Sequence, residues 1–200
     1  MTEENSNLEA IMTPEERQLF ELFKSMIGKD FHTKEVVKLW DDYINDKPIV
    51  TGYDEHVSHL GIKRWALANE DMNSLWFSDG FAKTTCWKGV IAPPLFIMAI
   101  DDGVAAASWL ASFLYGSDGV INTKEYPNFV GGLQGNTEFE FYEPVRPGDT
   151  IGHTSRCTDI KWKHGKTYRL LFTTGETNYT NQHGRVVAKC RQGAVYRFKK

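Results

Sequence analysis

The 200-residue chain has no excess of positive charge: 23 Lys and Arg stand against 26 Asp and Glu, a net charge of −3 with His neutral. Phosphate-binding domains ordinarily carry a basic surplus or stripe, so this balance argues against nucleic acid as a partner. Cysteine is scarce. Cys86, Cys157 and Cys190 are odd in number, far apart and without a C-x-x-C pair. They argue against a disulfide framework and a structural zinc site, and suit a reducing cytosol. The opening residues, Met1-Thr-Glu-Glu-Asn-Ser-Asn7, lack an apolar stretch, so no signal peptide is expected. A clean membrane span is missing too. Leu95 to Tyr115 is mostly apolar, but Asp101, Asp102 and Gly103 interrupt it, and carboxylates are costly in hydrocarbon. No repeat, linker or low-complexity tract divides the chain. The expectation is a soluble cytoplasmic protein with no membrane partner.

What is present is apolar and aromatic. Hydrophobic residues make up 41% of the chain, enough to exclude disorder. Six Trp, 8 Tyr and 12 Phe favour a ring-rich core or a pocket for an apolar ligand.

Local signals order the chain. Thr13-Pro14-Glu15-Glu16 has capping-box spacing with Pro at the first helical position. Leu19, Phe20, Phe23, Met26 and Ile27 follow at helical spacing, and Gly28 is placed to end the helix. A second amphipathic segment spans Lys34–Ile44 and stops at Asn45-Asp46-Lys47-Pro48. Residues 1–50 thus read as a helical N-terminal extension, and 51–200 as one further domain. Tyr53–Val57 reads as a short strand, Gly61–Asn69 as a short helix, and Glu70–Lys88 as a loop. Pro93 and Pro94 mark the start of a long helix over the apolar stretch, and Gly116–Gly135 reads as an irregular connection.

The period then changes to two. Thr137–Tyr142 alternates polar and aromatic residues, as a strand with one buried face does. Strands follow over 150–162 and 167–179, the latter with Tyr168, Leu170 and Phe172 on one face. Val186, Ala188, Cys190, Ala194 and Tyr196 mark the last strand. The turns Arg146–Asp149, Lys163–Lys166 and Asn181–Gly184 make an antiparallel meander. A long helix apolar nearly all round needs cover, which a curved sheet provides. The order predicts an α+β hot-dog fold, a curved antiparallel sheet around a central helix.

Three segments carry a family likeness: Ile62–Trp76 (IKRWALANEDMNSLW), Gly89–Pro94 (GVIAPP) and Tyr142–Ile151 (YEPVRPGDTI), joined by Thr177–Val187. In that order and spacing they resemble the MaoC-like hot-dog dehydratases and hydratases, in the N-terminal MaoC-like branch of fatty-acid-synthase type, over roughly residues 50–197. The resemblance implies chemistry on acyl thioesters: hydration of a 2-enoyl-CoA, or dehydration of an (R)-3-hydroxyacyl-CoA. It implies acyl-CoA as substrate and no cofactor. In that reaction a carboxylate and an imidazole share one water. A backbone N–H, commonly at a helix N-terminus, steadies the thioester oxygen.

The family's catalytic loop reads D-x-N-P-x-H. Here Asp71 and Asn73 match, Ser74 replaces Pro, and Trp76 stands at the His position. Indole donates a hydrogen bond but does not exchange a proton near neutral pH. The family's His-Gly pair at the helix start is replaced by Pro93-Pro94, and proline offers no N–H. The resemblance therefore implies a degenerate subunit that accommodates an acyl tail and completes a heterodimer or heterotetramer with an Asp/His-bearing hot-dog chain, or otherwise a homodimer. Asp71 and Asn73 are the candidate catalytic remnants. Trp76, Phe77, Pro94, Phe96, Lys161 and Lys163 are the candidate substrate-binding residues.

Each has a plainer reading. Asp71 is equally a turn former, and Trp76 suits packing or a pocket wall. Lys161, Lys163, Lys166 and Arg169 crowd one hairpin, where they could meet CoA phosphates or simply keep a hairpin tip solvated. His56 and His59 lie near Asp54 and Glu55, but strand alternation parts neighbours and no third metal ligand is evident. His153 and His183 are isolated. Asp101 and Asp102 could cap a helix break or face a pocket. Alternatives to the partner-subunit reading are a self-sufficient hydratase recruiting His56 or His153, a hot-dog thioesterase using Asp71, and an acyl-CoA-binding module without turnover.

Overall fold

The computed structural model describes residues 12–29, 55–100, 114 and 126–200. The expected second helix at 34–44 and most of the apolar stretch from 95 to 115 lie outside them.

Helix α1 (Pro14–Ser25) forms where the capping box places it. The Glu16 N–H donates to Thr13 Oγ1 and the Thr13 N–H donates to Glu16 Oε2, each at 3.2 Å. These bonds satisfy two donors that a helix start otherwise leaves open. Its apolar face buries Leu19, Phe23 and Met26. Past the helix, Gly28 takes a positive φ of +79°. Its N–H then reaches Cys157 O at 2.8 Å, where a bulge interrupts pairing between Cys157 and Asp159.

Among the described residues, the strands form one five-stranded antiparallel sheet. Strands β1 (Glu55–His56), β2 (Phe129–Phe141), β3 (Thr150–His164), β4 (Tyr168–Asn181) and β5 (Val186–Lys199) lie in the order β1-β3-β4-β5-β2. The predicted turns form, but only β3, β4 and β5 run as a meander, because the 146–149 turn leads from β2 to β3, which lie apart in the sheet. In one, the Arg146 N–H donates to Asp149 Oδ2 at 2.7 Å and Gly148 adopts φ +93°. In another, Asn181 Oδ1 accepts from the His183 and Arg185 N–H groups, and Gly184 adopts φ +72°.

Four expectations change. Glu70–Lys88 is not one loop, because it contains helices α3 (Ser74–Phe77) and α4 (Asp79–Thr84), with Asn73 and Ser78 as their N-caps. The connection read over 116–135 is already strand from Phe129, with its glycines lying at and around two register shifts. Pro94–Ala99, the start of the predicted long helix, is a 3₁₀ helix. Finally, Tyr168, Leu170 and Phe172 do share a face, but it is the half-buried one.

The fully covered face of β4 carries Arg169, Leu171, Thr173, Thr177 and Tyr179 instead. Two of its polar members find partners at a distance, and the first is Thr177, whose hydroxyl meets that of Ser155 at 2.8 Å across β3 and β4. Arg169 is therefore no part of a solvated hairpin tip. Its Nη1 and Nη2 donate to Glu16 Oε2 and Oε1 at 2.7 and 3.0 Å, and its Nε donates to Lys199 O at 3.1 Å. The guanidinium also lies over the Trp162 ring, 5.6 Å from its centroid. Helix α1 is thus fixed to the covered face of the sheet at the Trp162–Phe198 end.

The other end of that face holds the second part of the core. Helix α2 (His59–Ala68) is N-capped by Ser58, whose Oγ accepts from the Gly61 N–H at 2.9 Å. It buries Ile62 and Ala66 against Val57, Ile91, Ile97, Ile151 and Tyr179. Among the described residues, no helix is long and apolar enough to cross a membrane.

Candidate functional site

Helix α2 ends at Asn69, and Glu70 reverses the chain with φ +55°. The Asp71 N–H then returns to Ala66 O at 2.9 Å. Asp71 Oδ1 accepts from the Asn73 N–H at 3.2 Å, and Asn73 Oδ1 accepts from the Leu75 N–H at 3.0 Å. The D-x-N sequence is thus two successive side-chain turns, the second capping α3. That local geometry drives Leu75 and Trp76 into the core, where Trp76 is 7% exposed. Its indole N–H is buried without an acceptor. Phe77 packs against the same cluster, half-buried.

Gly89–Pro94 contributes Val90, Ile91 and Ala92 to the same core cluster. The Ala92 N–H donates to Val145 O at 2.8 Å, so this amide is already engaged. Pro93 and Pro94 follow with no N–H to offer. Pro93 O accepts from the Phe96 N–H at 2.8 Å as the 3₁₀ turn begins. Phe96 is buried and meets Trp65 edge-on, with ring centroids 6.3 Å apart.

A cavity of about 150 Å³ opens beside the two prolines, walled by Trp87, Pro93, Pro94, Phe141, Tyr142 and Val187 among others. It is mostly apolar and smaller than the several hundred Å³ that a drug-sized ligand fills. One wall is the end of β2, which is an edge strand among the described residues. The Tyr142 hydroxyl donates to Glu140 Oε2 at 2.5 Å, and that carboxylate holds the phenol above its usual range. Arg146 Nη2 donates to Trp87 O at 2.8 Å and ties the 142–149 turn to the chain before the prolines.

The candidate residues therefore divide. Trp76 and Phe96 share one core cluster with Phe77 against it, and Pro94 walls the cavity. Asp71 and Asn73 stand at the start of α3. Lys161 and Lys163 lie elsewhere, on the outward face of β3: Lys161 pairs with Asp159 at 2.7 Å, and Lys163 sits over Phe172. His56 is exposed and His59 half-buried. Among the described residues, no group of three or more His, Cys, Asp or Glu is placed to hold a metal. The cavity walls Trp87, Phe141 and Tyr142 were not singled out beforehand. The alternating aromatics of Thr137–Tyr142 were the available signal for two of them.

The family model for the FAS1-like dehydratase domain region matches residues 48–190. No curated protein sequence matches the chain. Solved structures do. The ChsH1–ChsH2 complex from Mycobacterium tuberculosis matches at TM-score 0.55 and 19% identity, over 72% of this chain and 80% of that one. The HadBC (3R-hydroxyacyl-ACP dehydratase) complex from the same organism matches at 0.52 and 17%, over 72% and 90%. A MaoC-like dehydratase from Rhodospirillum rubrum matches at 0.51 and 19%, over 74% and 89%. At these identities the structures establish the hot-dog fold. With the family model spanning most of the sequence, the chain belongs to the FAS1-like dehydratase family of MaoC-like hot-dog proteins.

Proposed function

We propose that this chain is the non-catalytic partner subunit of an (R)-specific 2-enoyl-CoA hydratase or 3-hydroxyacyl-CoA dehydratase, making room for a large, cyclic or aromatic acyl group while a second hot-dog chain supplies the Asp–His pair. The observation that carries it is Trp76. At the family's imidazole position stands an indole that is buried as core and cannot relay a proton near neutral pH. Two further observations agree with it. Asp71 and Asn73 are engaged in turn and cap hydrogen bonds. At the family's His-Gly positions Pro93 and Pro94 offer no N–H, and the Ala92 N–H before them is bonded to Val145.

The names of similar structures lend support of a weaker kind, since two of them are complexes. A cavity this small, bounded by a strand that among the described residues pairs on one side, suits a site completed by another chain. Cys86, Cys157 and Cys190 form no disulfide, which suits a cytoplasmic setting.

The test is direct. The purified chain should hydrate crotonyl-CoA no faster than buffer. Co-expressed with an Asp/His-bearing MaoC-like chain from the same source, it should form a stable complex with activity. Rapid hydration by the isolated chain overturns the proposal. Loss of that activity in Asp71→Asn would then identify a self-sufficient hydratase.

A further inference from the structure

The covered face of the sheet has two apolar ends. One buries Trp162 and Phe198 near α1, the other Ile151, Tyr179 and Ala188 in the cluster with α2. Between them runs a polar belt of Ser155, Thr177, Thr173 and Gln192, every member buried. The Ser155 and Thr177 hydroxyls hold one another at 2.8 Å. Thr173 Oγ1 and Gln192 Oε1 have no partner within the chain, although each residue is only 4% exposed. Register makes these two neighbours. Gln192 faces Gly175 and Thr173 faces Ala194, so they lie diagonally across β4 and β5, and Gly175 adds no side chain beside them. A hydroxyl and an amide oxygen kept from water without a partner cost stability, and two at one place call for a shared reason.

The same register connects the belt to the cavity beside the prolines. Ala188 lines that cavity and lies opposite Phe141, another of its walls. Next along the face Cys190 lies opposite Phe139, and then Gln192 opposite Thr137. From Ala188 to Gln192 the track follows β5 for about 13 Å. Its flank on β2 is the Phe139–Phe141 pair, whose rings stack at 5.7 Å and 8°. Phe141 and Thr137 are exposed and Phe139 is half-buried, so the track is reached from the β2 side and ends at a buried polar group.

We propose that this track receives the distal part of an elongated, mostly apolar acyl group, and that Thr173 and Gln192 bind a hydroxyl at its far end. The donor inventory selects the hydroxyl. It can donate to Gln192 Oε1 and accept from the Thr173 hydroxyl, which satisfies both atoms at once. A carbonyl only accepts and would leave Gln192 Oε1 open. A carboxylate would need a cation, and Arg169 on this face is already bonded to Glu16. The rings of Phe139 and Phe141 suit a flat or cyclic body between the two ends.

The proposal rests on the acyl-CoA reading for the near end of the ligand, and its test involves no turnover. Binding to the full chain is measured by calorimetry for biphenylacryloyl-CoA with and without a hydroxyl at the tip of the far ring. The wild-type chain should bind the hydroxylated thioester at least about tenfold more tightly. Thr173→Val and Gln192→Leu should each weaken that preference and together abolish it. Equal affinities in the wild type overturn the proposal, because a belt that only holds water confers no such preference. A preference that survives in the double variant, or failure to bind either thioester, overturns it as well. Thermal unfolding without ligand separates binding from a structural role. Thr173→Val should match or exceed the wild-type Tm, since its hydroxyl holds nothing within the chain, and a Tm several degrees lower also overturns the proposal. Crotonyl-CoA is too short to reach the belt, so its hydration by the isolated chain would overturn the partner-subunit reading alone.

Discussion

Glu16 and Arg169 meet in a two-pronged contact at 2.7 and 3.0 Å, both side chains almost wholly out of water and 153 positions apart in sequence. One carboxylate closes the capping box of α1 and holds that helix to the sheet. Removing one partner of such a pair strands the other as a buried charge, which costs more than the pair itself contributes.

Glu16→Gln should therefore destabilise the chain by about 3–5 kcal/mol, read from urea unfolding. Replacing both residues, as Glu16→Leu with Arg169→Met, should recover most of that loss. A single substitution costing under about 1 kcal/mol would show that α1 is not held this way.

The glycines offer a contrast that needs only thermal unfolding. A Cβ on Gly135 would lie 3.1 Å from Gly193 O, a backbone atom of the neighbouring strand. Gly135→Ala should cost roughly 1–3 kcal/mol, because backbone rather than a flexible side chain must yield. Gly80 in α4 has only Ser78 Oγ nearby, at 3.9 Å. Gly80→Ala should stabilise by about 0.5–1 kcal/mol.

Trp76→His returns an imidazole to the loop without returning an N–H to the Pro93-Pro94 segment. The variant should show no more than about tenfold acceleration of crotonyl-CoA hydration over background, since an oxyanion donor alone is commonly worth 10²–10³. It should also lose about 3 kcal/mol of stability, as large-to-small changes in a core do. Efficient hydration would mean that another group supplies the donor.

Burial pushes the Cys157 thiol up to about 11. The unfolded thiol gives up its proton first as pH rises, so the folded state holds more protons between about 9 and 11. Stability from this group is complete below that window and lost through it, on the order of 2–3 kcal/mol in all. Alkylation at pH 8 followed by peptide mapping should label exposed Cys86 first and leave Cys157 intact until the chain unfolds.

How much the sequence disclosed depended on whether each signal was local. The Thr13–Glu16 cap, the 146–149 turn and the 181–184 turn are all closed by bonds within four residues, and each stood where its residues placed it. The inward face of β4 was hidden because two of its polar residues find partners far along the chain, Thr177 at Ser155 and Arg169 at Glu16. Tyr168, Leu170 and Phe172 looked like the core side for the same reason. The first half of β2 was hidden by Gly131, Gly132 and Gly135, which read as loop and instead sit around its two register shifts. At the candidate site, the substitutions of Trp76 and Pro93-Pro94 were plain in the sequence. The cap-to-cap use of Asp71 and Asn73 was not, because the same residues suit either role.

The long reach of the Glu16–Arg169 contact also implies an order of events. The β3–β4 and β4–β5 hairpins close over short separations and can assemble early, whereas α1 must wait for β3, β4 and the chain end at Lys199 to be in place. In pulsed hydrogen exchange during refolding, amides of α1 should gain protection after those of the meander. Helix α1, which precedes the other described elements in sequence, would then be the last of them to settle.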